Sequence, residues 1–245
     1  MMGRIRLFIL CCGLMLLFSC GDNDNKNDDW KADLPELSVD SVSMLGVVGI
    51  YNAIMFSIND VPFIGLGHIP LVGKNNHFYY YSSEERSWKS IGEYPGGNRE
   101  EATAFVIGNK AYVGLGSFID RENGYSLLLY DDFFVYDYEK RSWESQPIKF
   151  PGGARAGAVA FSIDGKGYVG TGYGEGGDRF ADFYEFSPET GWTAISNVGK
   201  VRARAHAFVA NGYGYICSGV EANDILKFDP KSKTWKGQPI CYEED

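Results

Sequence analysis

The chain has 245 residues, 44% of them hydrophobic and 15% aromatic, with 31 glycines and a formal net charge of −9. That composition suits a single all-β domain and excludes a disordered chain or a coiled coil. The acidic balance argues against nucleic acid as a partner, because such a surface repels phosphate.

Residues 1–19 read as a signal peptide outside the fold. Arg4 and Arg6 precede the apolar run Leu7–Leu17, which is too short to span a bilayer comfortably. The run ends in Leu17-Phe18-Ser19-Cys20-Gly21, which resembles a bacterial lipobox. The resemblance implies cleavage before Cys20 and acylation of that residue, with the membrane reached through the lipid anchor alone. The expected address is an outer-membrane lipoprotein, on the periplasmic side or at the cell surface. Residues 20–40 form the lipidated cysteine and a flexible acidic tether. The remaining domain covers 41–245. Loss of 1–19 removes Arg4 and Arg6 and no acid, so the mature chain is more acidic still.

A repeat then takes over. Phe56 and Phe63, Phe105 and Tyr112, Phe161 and Tyr168, and Phe208 and Tyr215 are pairs with one spacing. Each pair predicts a strand, a tight turn and a second strand. A glycine follows each second strand, at Gly67, Gly116, Gly172 and Gly219. Next come an aromatic strand, a polar turn and a tryptophan: Tyr81 to Trp88, Tyr136 to Trp143, Phe186 to Trp192, and Phe228 to Trp235. Alternation puts Met55, Ala104, Ala160 and Ala207 on one face of the first strands and the phenylalanines on the other. Small residues let blades pack closely, while the aromatics fill the opposite gap. The tryptophans are expected to pack on the loops of their own blades.

A period of about fifty residues with this content resembles the kelch repeat, in which each copy is one four-stranded propeller blade. The expected fold is an all-β kelch-type β-propeller with about four blades, of the lipid-anchored, galactose-oxidase-like kind. It forms a compact ring, an open arc completed by self-association, or the product of a shortened gene.

Cys217 falls on a second strand and Cys241 just after a fourth, so a third strand separates them. Two strand spacings exceed disulfide reach, and both are expected as free thiols.

In a propeller of this type, the segments before each first strand and after each second strand share one rim. Arg99, Arg155 and Arg202 recur at one repeat position, with Arg204 beside them. They are candidates for a cationic ring holding a carboxylate or an anionic sugar. The alternative is that each bonds loop carbonyls or acids such as Glu100 and Glu175. The loop Tyr173-Gly-Glu175-Gly-Gly-Asp178-Arg179 and the insertion carrying Asp120 and Arg121 complete the candidate set. Gly172–Gly177 matches a dinucleotide-binding pattern, but a strand follows where a helix is needed, so that reading is rejected. His68, His77 and His206 lack metal-site spacing. No metal, cofactor or catalytic residue is assigned.

The leading expectation is a non-enzymatic binding module whose rim recognises a protein or a glycan. The alternative is a sugar mutarotase or epimerase acting on an acidic sugar: some periplasmic kelch proteins resembling this one act on sialic acid through rim arginines and a carboxylate. A structural component of an envelope assembly is a third class.

Overall fold

The computed structural model describes residues 50–69, 73–120, 124 and 126–239. The signal peptide at 1–19, Cys20, the tether at 20–40, Arg121 and Cys241 lie outside the described residues.

Four antiparallel sheets follow one another along the chain. Blade 1 runs from its inner strand Ile54–Ile58 through Val61–Gly65 and His77–Ser82 to Ser87–Glu93. Blade 2 uses Thr103–Ile107, Lys110–Gly114 and Asp132–Asp137, with an interrupted outer edge at Ser142–Trp143 and Ile148–Lys149. Blade 3 comprises Val159–Ile163, Lys166–Gly170, Phe183–Ser187 and Gly191–Ile195. Blade 4 comprises His206–Ala210, Tyr213–Cys217, Asp224–Asp229 and Thr234–Pro239. Each blade is a meander in which sequence neighbours pair, and the inner strands of consecutive blades pack side by side. These are four propeller blades. Within the hairpin at Asp164-Gly165 both residues have positive φ, 51° and 74°, the turn geometry that matches strand twist.

The core lies between the blades. Phe105 and Tyr112 stack at 4.9 Å, and Phe105 meets Phe186 and Trp192 of blade 3. Phe161 and Tyr168 repeat this against Phe228 and Trp235 of blade 4. The facing second strand must be small where the phenylalanine arrives. A Cβ at Gly214 would sit 2.5 Å from the Phe161 ring, and one at Gly167 would overlap Phe105. Ala111 holds that position in blade 2 and is fully buried. Burying each phenylalanine contributes about 1.5–3 kcal/mol, so these contacts dominate blade cohesion.

The tryptophans reach beyond their own blades. Trp143, Trp192 and Trp235 pack on the third strand of their own blade and also on aromatics of the preceding one. An indole is wide enough to cover the junction as well as its own sheet. Among the described residues, the ring partner of Trp88, in blade 1, is Tyr81 of its own blade.

Candidate functional site

The rim is built by pairing each lead-in segment with the exit of the same blade. Glu100 bridges Ser117, Ala156 bridges Tyr173, and Ala203 bridges Val220. The exit glycine makes this possible. Gly172 has φ of 94°, and a Cβ there would lie 2.7 Å from the Ala156 carbonyl oxygen.

The recurring arginines sit beneath this rim rather than on it. Arg99, Arg155 and Arg202 are each at most 1% exposed. Arg155 donates to both carboxylate oxygens of Asp182 at 2.6 and 2.9 Å, to the Thr171 carbonyl at 3.0 Å and to the Gly152 carbonyl. Its guanidinium lies 4.0 Å from the centre of the Phe180 ring. Arg99 pairs with Asp132 at 2.6 Å and lies 3.9 Å from the Tyr130 ring centre. Arg202 pairs with Asp224 at 2.6 Å. The hydrogen bonds from Arg202 are the largest cause holding the Asp224 carboxyl below its ordinary range. These three guanidinium groups are thus committed to a third-strand aspartate and to loop carbonyls. The cationic ring reduces to Arg204.

Arg204 stands apart, with 57% of its side chain exposed. It forms a two-pronged ion pair with Glu101, at 2.9 and 2.7 Å, and its guanidinium lies 5.1 Å from the Tyr173 ring centre. The Glu101 hydrogen bond is the main reason its proton is held more firmly than usual. This contact joins blade 2 to blade 4 across blade 3. Gly157 permits the crossing: a Cβ there would lie 3.1 Å from Arg204 Cγ and 3.2 Å from Glu101 Oε2. Asn52, Glu101, Gly157 and Arg204 occupy one repeat position, and all have φ between 53° and 61°. Three non-glycine residues in the left-handed region cost about 1–2 kcal/mol each, strain of the kind that collects at functional sites.

Beside this pair is a cavity of about 180 Å³, lined by Tyr173, Gly177, Arg179, Ala203, Arg204 and Val220. Arg179 closes one side through an ion pair with Glu221 of blade 4. Glu175 and Asp178 are exposed on the same glycine-rich loop, around the short turn Glu175–Gly177. Glu100 accepts from Asn52 at 3.0 Å and lies 3.9 Å from His68. Thus Tyr173, Glu175, Asp178, Arg179 and Arg204 gather at one place. Asp120 lies on the ribbon pairing Ser117–Asp120 with Ser126–Leu129, where Ile119, Leu127 and Leu128 are exposed. Sequence reasoning missed Glu101 and Glu221. The signal for Glu101 was its place two residues after the arginine column, where Arg204 also sits.

Cys217 is a half-buried free thiol, and burial pushes its pKa up, away from nucleophilic use. Among the described residues no cluster of His, Cys, Asp or Glu could hold a metal, and no helix is long and apolar enough to cross a membrane.

No protein-family profile matches the chain. Curated relatives are N-acetylneuraminate epimerases. That of Shigella flexneri serotype 5b is 28% identical over 179 residues, 72% of this chain and 44% of the relative. That of Escherichia coli K12 is likewise 28% identical over 179 residues, and that of Vibrio cholerae O1 is 30% identical over 118. The chain spans about half the length of the curated relatives it matches, or less. The solved structure of YjhT superposes with a TM-score of 0.65, at 19% identity, covering 81% of this chain and 68% of that one.

These relatives overturn the leading sequence expectation. A non-enzymatic binding module is not what the similar proteins are: they carry the name of an epimerase of an acidic sugar. The sequence shows no nucleophile or metal motif, but epimerisation of a sugar requires neither.

Proposed function

We propose that this chain forms the rim of an epimerase, or mutarotase, acting on a carboxylated sugar of the N-acetylneuraminate type. The observation that carries the reading is the Arg204–Glu101 pair beside Arg179 and Tyr173, at the mouth of a rim cavity. An acidic sugar supplies a carboxylate that matches an exposed guanidinium fork. Exchange at an anomeric carbon moves protons. One leaves the anomeric hydroxyl and one reaches the ring oxygen, and the reverse follows after rotation of the opened chain. Carboxylates within hydrogen-bond reach perform this work by general acid–base catalysis.

In this reading Arg204 and Arg179 bind the sugar carboxylate, displacing part of their contacts to Glu101 and Glu221. Tyr173 packs a ring face beside the sugar. Glu101, freed from one prong of Arg204, accepts the anomeric proton, while Glu175 approaches from the loop as the second acid–base group. The buried arginines hold the rim's shape without touching substrate. The lipid anchor at Cys20 and an envelope location belong to the same proposal, and rest on residues 1–20.

The test uses saturation-transfer NMR on N-acetylneuraminate, with N-acetylmannosamine, which lacks the carboxylate, as control. Accelerated exchange of the N-acetylneuraminate anomers, without comparable acceleration for the control, supports the proposal. An exchange rate equal to buffer at every protein concentration sinks it.

A further inference from the structure

A second cavity, of about 330 Å³, lies between blades 1 and 2. It is at the end of the sheets away from the rim. Asp132 starts its strand beneath the rim, and Tyr136, which lines the cavity, lies near the other end of that strand. Phe63 forms the floor and is 1% exposed, with the rings of Tyr136, Tyr80 and Tyr138 centred 5.6, 6.1 and 6.2 Å from it. Ser90 and Ile91 line it from the outer strand of blade 1. Arg141 lines it from blade 2, exposed on the turn that follows the third strand.

The polar groups around this space are not spent on the protein. Among the described residues the hydroxyls of Tyr80, Tyr136 and Tyr138 form no hydrogen bond, and Arg141 has no ion pair. Burial is the main cause raising the Tyr136 pKa; Arg141 opposes it, while Tyr138 and Tyr80 add to it, so the four groups lie within electrostatic reach of one another.

The equivalent place between blades 3 and 4 shows what sits beside such a cation. Lys233 holds the position of Arg141, two residues before the tryptophan, with φ of 55° against 53°. It donates to Glu185 at 3.1 Å, and Glu185 also accepts from Lys166 at 2.8 Å and from the Tyr168 hydroxyl at 3.0 Å. There the chain supplies its own carboxylate. Between blades 1 and 2 the strand register puts Tyr80 where Glu185 stands, Phe63 where Tyr168 stands and Val61 where Lys166 stands. The cation is kept and its carboxylate is not.

We infer that this cavity is a binding site, separate from the rim, for a small sugar acid of the uronate kind, whose carboxylate takes beside Arg141 the place that Glu185 takes beside Lys233. A guanidinium fork matches a carboxylate in charge and shape. Tyrosines offer an apolar face and a polar tip, which suits a ring with C–H faces and hydroxyls at its edge. Ser90 adds to this wall: its oxygen accepts from the Gly92 N–H, and its own O–H remains to donate. The volume is near the lower end for small-molecule pockets, about 300–1,000 Å³, which limits the ligand to a single ring. The site shares no residue with the rim cavity, so it stands whether or not the rim is an epimerase.

Ligand-observed NMR titration of the purified chain with glucuronate tests this, with glucose as the uncharged control and benzoate as a carboxylate without ring hydroxyls. Saturable binding of glucuronate that neither control matches is the expected result. Arg141→Ala should weaken it about tenfold, the loss of one charged hydrogen-bonding partner. Tyr80→Glu restores an internal carboxylate and should abolish it. Circular dichroism shows which variants are folded, and where Tyr80→Glu is not, Arg141→Ala decides. Anomeric exchange of N-acetylneuraminate by Arg141→Ala should equal that of wild type, so this site and the rim are read separately. Absence of saturable glucuronate binding overturns the inference. Unchanged affinity in folded Arg141→Ala does so too, because it places the sugar acid elsewhere. Benzoate binding as tightly as glucuronate overturns the assigned class and makes the site one for aromatic acids.

Discussion

Arg202 and Arg204 lie two residues apart on one rim segment and do opposite work. Arg202 is fully buried and pairs with an aspartate of its own blade. Arg204 is largely exposed and reaches over Gly157 to a glutamate two blades away. The first contact fixes a loop onto a sheet. The second leaves a guanidinium at a cavity mouth, where a ligand carboxylate can compete for it. The lesson is that recurrence marks scaffold here: three copies share the buried arginine, and the group that varies two residues further on is the one left exposed at the cavity.

The comparison breaks most visibly in stability. Arg155→Ala strips the charge partner from Asp182, leaves two loop carbonyls without their donor and empties the space of a fully buried side chain, costing about 3 kcal/mol. Urea denaturation measures it, and a loss below about 1 kcal/mol would mean that the buried arginines are not structural. Gly167→Ala comes next, at about 2 kcal/mol from overpacking against Phe105. Phe105→Leu in the same protein should recover part of that loss, and additive effects would show that the two positions do not meet.

A pH series sharpens the same contrast. The folded-state pKa of Asp224 lies below its ordinary value of 3.8, chiefly through hydrogen bonds from Arg202. A depressed carboxyl stabilises the fold above its unfolded pKa, and that contribution is lost as pH falls through the folded one. Wild type should therefore lose more stability than Asp224→Asn between pH 5 and pH about 3, in the same urea experiment. Equal slopes would remove Asp224 from the account. The smallest stability effect belongs to Arg204→Ala, under about 1 kcal/mol, because the pair is exposed on the arginine side.

The blades were legible because packing repeats. Phe105, Phe161 and Phe208, with Tyr112, Tyr168 and Tyr215, announce the hairpins, and the exit glycines announce the rim. The direction of the arginine side chains was not legible. Spacing shows that Arg99, Arg155 and Arg202 are equivalent, but says nothing about whether they point into the ring or beneath it. Their partners Asp132, Asp182 and Asp224 stand at or directly before the start of the third strand of each of those blades, a recurrence present in the sequence that would have identified the pairs. Glu101 and Arg204 share a repeat position, but their contact was not legible, since they lie 103 residues apart and meet only once three blades are stacked. The reach of the tryptophans to the preceding blade was not legible, because a single repeat shows no neighbour.

The central claim is that Arg204 serves the ligand and not the fold. The direct measurement is the anomeric exchange rate of N-acetylneuraminate with Arg204→Ala, at a temperature where circular dichroism shows it fully folded. The account predicts a melting temperature close to wild type and an exchange rate reduced at least tenfold, toward that of buffer. Wild-type exchange by the folded variant would contradict it.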